Sequence, residues 1–156
     1  IELENDEILC LIDTGSNAHA ADAEVHFPQY LEHVKPTSLS RRVHAATSAG
    51  GHKIHNLGKF VVKGEADGQQ VAVTFNHMKV KLPILSAREM MSKGGTIKLE
   101  DDGGVISNAR TGQSIHFIIH DDLWCMKLKV RAPGTFQNPS DLMHLKSSPF
   151  GRQGSR

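Results

Sequence analysis

The hydrophobic positions of this chain come in short runs broken by turn residues. Residues 7–13, Glu-Ile-Leu-Cys-Leu-Ile-Asp, form an apolar run that predicts a buried strand, with a loop over 14–18. Ala20 to Val34 has weak helical potential broken by Pro28. The stretch RRVHAATSAGGHKIHNLGKFVVKG predicts two strands around a Gly50-Gly51 turn. GQQVAVTFNHMKVKLPIL adds another strand or two after an Ala66-Asp67-Gly68 turn. SAREMMSKGG predicts a short helix. Ser86 is its N-cap, Glu89 completes a capping box three residues on, and Gly94-Gly95 ends it. Three or four strands follow up to Val130, with turns at Asp102-Gly103-Gly104, Thr111-Gly112 and Asp121-Asp122. In the last strand Trp124, Met126, Leu128 and Val130 share one face by period two, and Cys125, Lys127 and Lys129 are expected on the outer one. After Val130 the chain turns rich in Pro, Gly, Ser and Asn. A domain over 5–131 is expected, mainly β with one short helix, followed by a flexible tail or linker over 132–156.

Composition narrows this picture. The chain has 156 residues, enough for one domain with its own core. Hydrophobic residues make up 38% and aromatic ones only 5%, which predicts a core of Val, Ile, Leu and Met rather than rings. The net charge of +1, from 18 basic and 17 acidic residues, offers no field for nucleic acid or a membrane surface, so neither is an expected partner. No apolar run approaches the roughly 18–20 residues of a membrane span. Cys10 and Cys125 imply no disulfide framework, and the default compartment is a reducing, cytoplasmic one. The opening residue is Ile rather than Met, as expected of a piece of a longer chain.

The candidate chemistry sits at the end of the first strand. An acid there is costly to bury unless it is hydrogen-bonded or paired. In Asp13-Thr14-Gly15-Ser16, the glycine permits a sharp turn that brings backbone N–H groups to the carboxylate, and the Ser16 hydroxyl can bond its outer oxygen. The Thr14 hydroxyl can reach a facing backbone and lock the loop. Two such loops face to face would place two carboxylates about 3 Å apart, sharing one proton. One oxygen then acts as base toward a water while the protonated partner polarises a peptide carbonyl. All four residues are also ordinary turn formers, so the surrounding sequence decides between the readings.

That surrounding sequence resembles a family. CLIDTGSNAHA is similar to the active-site segment of retroviral-type aspartic proteases, the retropepsins, and most of all to the versions carried by Copia-type retrotransposons. RRVHAATSAGGHKIHNLGKFVV is similar to their flap hairpin, with Gly58 in the return strand. VKLPILSAREMMSKGGTIKLEDDGGVISNARTGQSIHF is similar to the Copia-like series of apolar pair, Leu-Ser, short helix, strand and two glycine turns. The likeness covers about residues 8–130. It implies a small closed β-barrel-like fold, a homodimer, and an aspartic endopeptidase that processes a retroelement polyprotein without a cofactor. Asp13 matches the catalytic aspartate, Thr14 and Gly15 complete the triplet, and Ser16 matches the small residue after it. Ala49, Gly50 and Gly51 match the substrate-covering flap tip. Ser86 stands where many retropepsins carry a glycine packed behind the site loop. A second reading keeps the fold without the chemistry, as an inactive or domesticated module for dimerisation or peptide binding.

Other constellations carry less. Ten histidines are present, but no Cys-x-x-Cys or His-Glu-x-x-His, so they are read as surface residues and no metal site is expected. Asp101-Asp102 and Asp121-Asp122 are read as solvated turns, since the ligand spacing of a calcium loop does not continue. Cys10 is expected in the core. Arg41-Arg42 and the basic end at Arg152–Arg156 are too short for a nucleic-acid footprint.

Overall fold

The computed structural model describes residues 2–38, 40–41, 45–47, 53–134 and 141–149. Among these the chain is mainly β, with twelve strands and three short helices. The apolar run at the start forms β1 (Glu7–Asp13), and Cys10 and Ile12 point into the core. A two-residue strand β2 (Ala20–Ala21) follows the site loop. The weak helical stretch splits at Pro28 into α1 (Ala23–His26), capped by Asp22, and a 3-10 turn over Pro28–His33. Strands β3 (Ala45–Thr47) and β4 (Lys53–His55) pair antiparallel as the expected hairpin, and the tip residues Ala49, Gly50 and Gly51 lie outside the described residues. Arg42 and the basic end at 152–156 also lie outside them.

The long hairpin β5 (Lys59–Ala66) and β6 (Gln69–His77) turns at Asp67-Gly68. Strand β7 (Ile84–Ser86) leads into α2 (Ala87–Ser92), and β8 (Gly95–Glu100), β9 (Gly103–Asn108), β10 (Ser114–His120) and β11 (Leu123–Val130) form a meander. The pairings run β1-β7-β2-β6-β5-β11 and return to β1, because β11 lies antiparallel to β1 while β7 lies parallel on its other side. Each strand of this path buries its inward positions. In β5 the burial alternates strictly, with Phe60, Val62, Gly64 and Ala66 inside.

Where β5 meets β11, the backbones approach closely at Gly64, which pairs with Val130. A Cβ at Gly64 would collide with the Lys129 carbonyl oxygen and lie 3.0 Å from Leu128 Cδ1. Gly64→Ala is therefore expected to destabilise the fold by about 1–3 kcal/mol, because backbone on both sides must shift. Urea unfolding of the purified variant checks this.

Three expectations are corrected here. The core does contain rings: Phe27, Phe60 and Phe75 cluster at its centre, with centroids 5.3–6.0 Å apart. Aromatic residues are few, but they are concentrated inside. Cys125 is not exposed. It is buried, in the middle of the sheet between Leu11 of β1 and Ile118 of β10, its register partners, while Lys127 on the same face stays exposed. The region read as a tail also contributes a strand. In β12 (Met143–Leu145) the chain lies parallel to Val71–Val73 of β6, with Leu142, Met143 and Leu145 buried. Strand β2 covers this side of β6 only at Asn76 and His77, which leaves backbone groups at Val71–Val73 for β12 to satisfy.

Candidate active site

Asp13 ends β1 half-buried, and Thr14 and Gly15 after it are exposed. The Gly15 N–H donates to Asp13 Oδ1 at 2.8 Å, and the Ser16 hydroxyl donates to Asp13 Oδ2 at 3.0 Å. Both carboxylate oxygens are thus held from the loop's own side. The loop is braced from behind by β7. Asp13 pairs in register with Ser86, whose Oγ donates to the Ser16 carbonyl at 2.6 Å and accepts from the Glu89 N–H at 3.0 Å. Ser86 therefore does two jobs: it caps α2 and ties the helix to the acid-bearing loop. Such a cap is worth about 1 kcal/mol.

Only half of the expected capping box forms. The Ser86 N–H is bonded to His19 Nδ1 at 2.9 Å, so the Glu89 carboxylate is free to turn elsewhere. It accepts a hydrogen bond from the Ser148 N–H and lies 3.9 Å from Lys93 Nζ. Burial alone would raise the Glu89 carboxyl, but the Ser148 bonds and the Lys93 ammonium outweigh it and hold it below the usual range. His19 is fully buried as well. Its backbone N–H donates to Ser147 Oγ at 2.9 Å, and its carbonyl accepts from Asn76 Nδ2 at 2.8 Å. Asn76 Oδ1 in turn accepts from Asn56 Nδ2 at 2.9 Å. Asn56 Oδ1 takes the N–H of Gly58, a residue whose φ of +131 favours glycine, just beyond the β3–β4 hairpin. Ile54 of that hairpin packs on Ala20 and Met78, so the hairpin's root and the exit of the site loop share contacts.

The structure thus brings together Asp13, Gly15 and Ser16, with Thr14 beside them. The flap-tip residues fall outside what is described. Sequence reasoning missed His19, Asn76 and the carboxylate role of Glu89. A signal existed for His19, a polar residue inside the small apolar run Ala18–Ala21. The surface reading of the histidines holds for His116, which bonds Asp67 at 3.0 Å, but not for His19 or His77, which are buried.

Burial lowers the His19 imidazole to about 4. Glu89 and the Lys146 backbone favour its charged form and are outweighed, while the Lys93 ammonium adds to the lowering. His77 is lowered too, chiefly by burial. The unfolded chain binds protons on these rings near pH 6.5, while the folded chain keeps His19 neutral down to about 4. Stability is therefore expected to be full above pH 6.5 and to fall as pH drops toward 4, by about 3 kcal/mol from His19. Urea midpoints between pH 7 and 4 check this, and His19→Asn should flatten the slope.

Burial pushes the Cys10 and Cys125 thiols up, which disfavours the reactive thiolate. Among the described residues no group of three or more His, Cys, Asp or Glu is placed to hold a metal ion, and no helix is long and apolar enough to cross a membrane. Compared with known proteins, the chain matches no family model, no curated protein and no solved structure.

Proposed function

We propose that this chain is an aspartic-type endopeptidase domain of the retropepsin kind, active as a homodimer in which Asp13 of two copies shares a proton and activates one water. The observation that carries this reading is the Asp13 loop. Its carboxylate ends a half-buried strand and itself stays half-open to solvent, is oriented by the Gly15 N–H and the Ser16 hydroxyl, and is braced by Ser86. A turn residue with no further role would not need that bracing. The ring of strand pairings through β1, β7, β2, β6, β5 and β11 supports a small closed barrel of the retropepsin type. The β3–β4 hairpin rooted beside the loop supports a flap.

In this mechanism one carboxylate of the pair takes a proton from water while the other, protonated, donates to the scissile carbonyl oxygen. The tetrahedral adduct then collapses with proton transfer to the leaving amine. An extended peptide would add its backbone to the strands around the site. The substrate class is an extended polypeptide, such as the retroelement polyprotein that would contain this domain. The test is peptide cleavage across pH 4–7 and across protein concentration. Activity that rises more steeply than linearly at low concentration supports a site shared by two copies. A folded protein that cleaves nothing at any concentration favours the non-catalytic, peptide-binding reading.

A further inference from the structure

We propose that His19 is a positioning residue for the Asp13 loop, and that the carboxy-terminal strap, residues 142–148, is what holds His19 in place. Its catalytic consequence rests on the reading of Asp13 as the catalytic acid; its structural part does not.

His19 lies six residues after Asp13 and is fully buried. Because Nδ1 accepts the Ser86 N–H, a neutral ring carries its proton on Nε2, which has the Lys146 backbone of the strap near it but makes no well-formed hydrogen bond among the described residues. A buried donor so poorly satisfied is costly, so an apolar side chain of similar size would suit the site better unless the Nδ1 contact is needed. That contact acts on Ser86, whose hydroxyl joins the helix α2 to the site loop. A continuous series of bonds results: Ser147 Oγ to the His19 N–H, His19 Nδ1 to the Ser86 N–H, Ser86 Oγ to the Ser16 carbonyl, and Ser16 Oγ to the Asp13 carboxylate.

The strap grips this series at a second point. The Ser148 N–H is bonded to Glu89, whose own N–H is capped by Ser86. The Ser148 carbonyl accepts from Asn76 Nδ2 at 3.1 Å, the same group that holds the His19 carbonyl. Met143 and Leu145 anchor the strap in the core, and the polar residues beyond them set the loop. The strap's seating and the carboxylate's orientation are therefore one mechanical unit, built from segments more than a hundred residues apart.

The test compares His19→Leu with His19→Asn in the full chain. The leucine variant fills the space without an acceptor, whereas the asparagine oxygen stands close to where Nδ1 was. The readouts are the amide resonances of Gly15, Ser16 and Ser86 and, separately, kcat and KM for peptide cleavage. His19→Leu should stay folded, shift those resonances and lower kcat by about 10- to 100-fold with KM little changed, as a misplaced catalytic group does. His19→Asn should restore most of both. A folded His19→Leu protein with Gly15 and Ser16 resonances and kcat at wild-type values overturns the proposal. If the wild type cleaves no peptide, the endopeptidase reading fails while the resonances still decide the positioning role. Should His19→Leu not fold, Ser147→Ala removes only the strap's hydroxyl, and unmoved Gly15 and Ser16 resonances in that variant overturn the proposal.

Discussion

Asp13→Asn is expected to fold as the wild type does and to lose peptide cleavage by about 10²- to 10⁴-fold, the range that positioned acid–base groups contribute. The fold survives because an asparagine keeps both local bonds. Its amide oxygen accepts from the Gly15 N–H, as Oδ1 does now, and its NH₂ donates to the Ser16 hydroxyl, which rotates to receive it. The chemistry does not survive. An amide neither takes a proton from water nor shares one with a facing carboxylate. Mixing the variant with excess wild type separates this from trivial loss of structure: if one site is shared by two copies, heterodimers are inactive and the activity falls faster than dilution alone. Full peptidase activity in Asp13→Asn would rule out the mechanism.

Phe75→Ala should unfold most easily of the core substitutions, with a loss of about 3–5 kcal/mol. Its ring is fully buried and stacks on both Phe27 and Phe60, with centroids at 5.3 and 5.7 Å. Those two rings come from the turn between α1 and the 3-10 helix and from β5, so neither can follow a shrinking neighbour without moving a whole element. A cavity remains. At about 2–4 °C per kcal/mol for a chain of this size, the midpoint of thermal unfolding should fall by about 6–20 °C. Val61→Ala on the same hairpin is the control. Val61 is exposed, and its substitution should change stability by no more than about 0.5 kcal/mol. Equal losses in the two variants would mean that the phenylalanine cluster is not the centre of the core.

Local features were legible because local rules govern them. The run Glu7–Asp13 reads as a strand because its apolar residues are continuous and a glycine turn follows. Ser86 reads as an N-cap because a hydroxyl three residues before an amide can satisfy a helix's free N–H, and it does. The four-strand meander from Gly95 to Val130 is marked by turn residues at each reversal. The Asp13 loop was legible for the same reason: its two bonds span two and three residues.

What lies across the fold was not. Period two separates the faces of β11 but does not say which positions along each face are buried, so the burial of Cys125 was not legible. Composition says how many rings there are but not where they meet, so the Phe27–Phe60–Phe75 cluster was unseen. The capping-box spacing places Glu89 near Ser86, yet His19, 67 residues from Ser86, had already taken the Ser86 N–H. The carboxylate then turned to Ser148, 59 residues away. By itself the sequence determined β1, the hairpins, the meander with its turns, the capped helix and the acid-bearing loop, but not β2 or β12, because each of the former depends on residues a few positions apart. Only the tertiary structure decided what braces that loop, because a buried N–H or carboxylate must find a partner wherever packing brings one, and here the partners are a buried histidine and a strap from the far end of the chain.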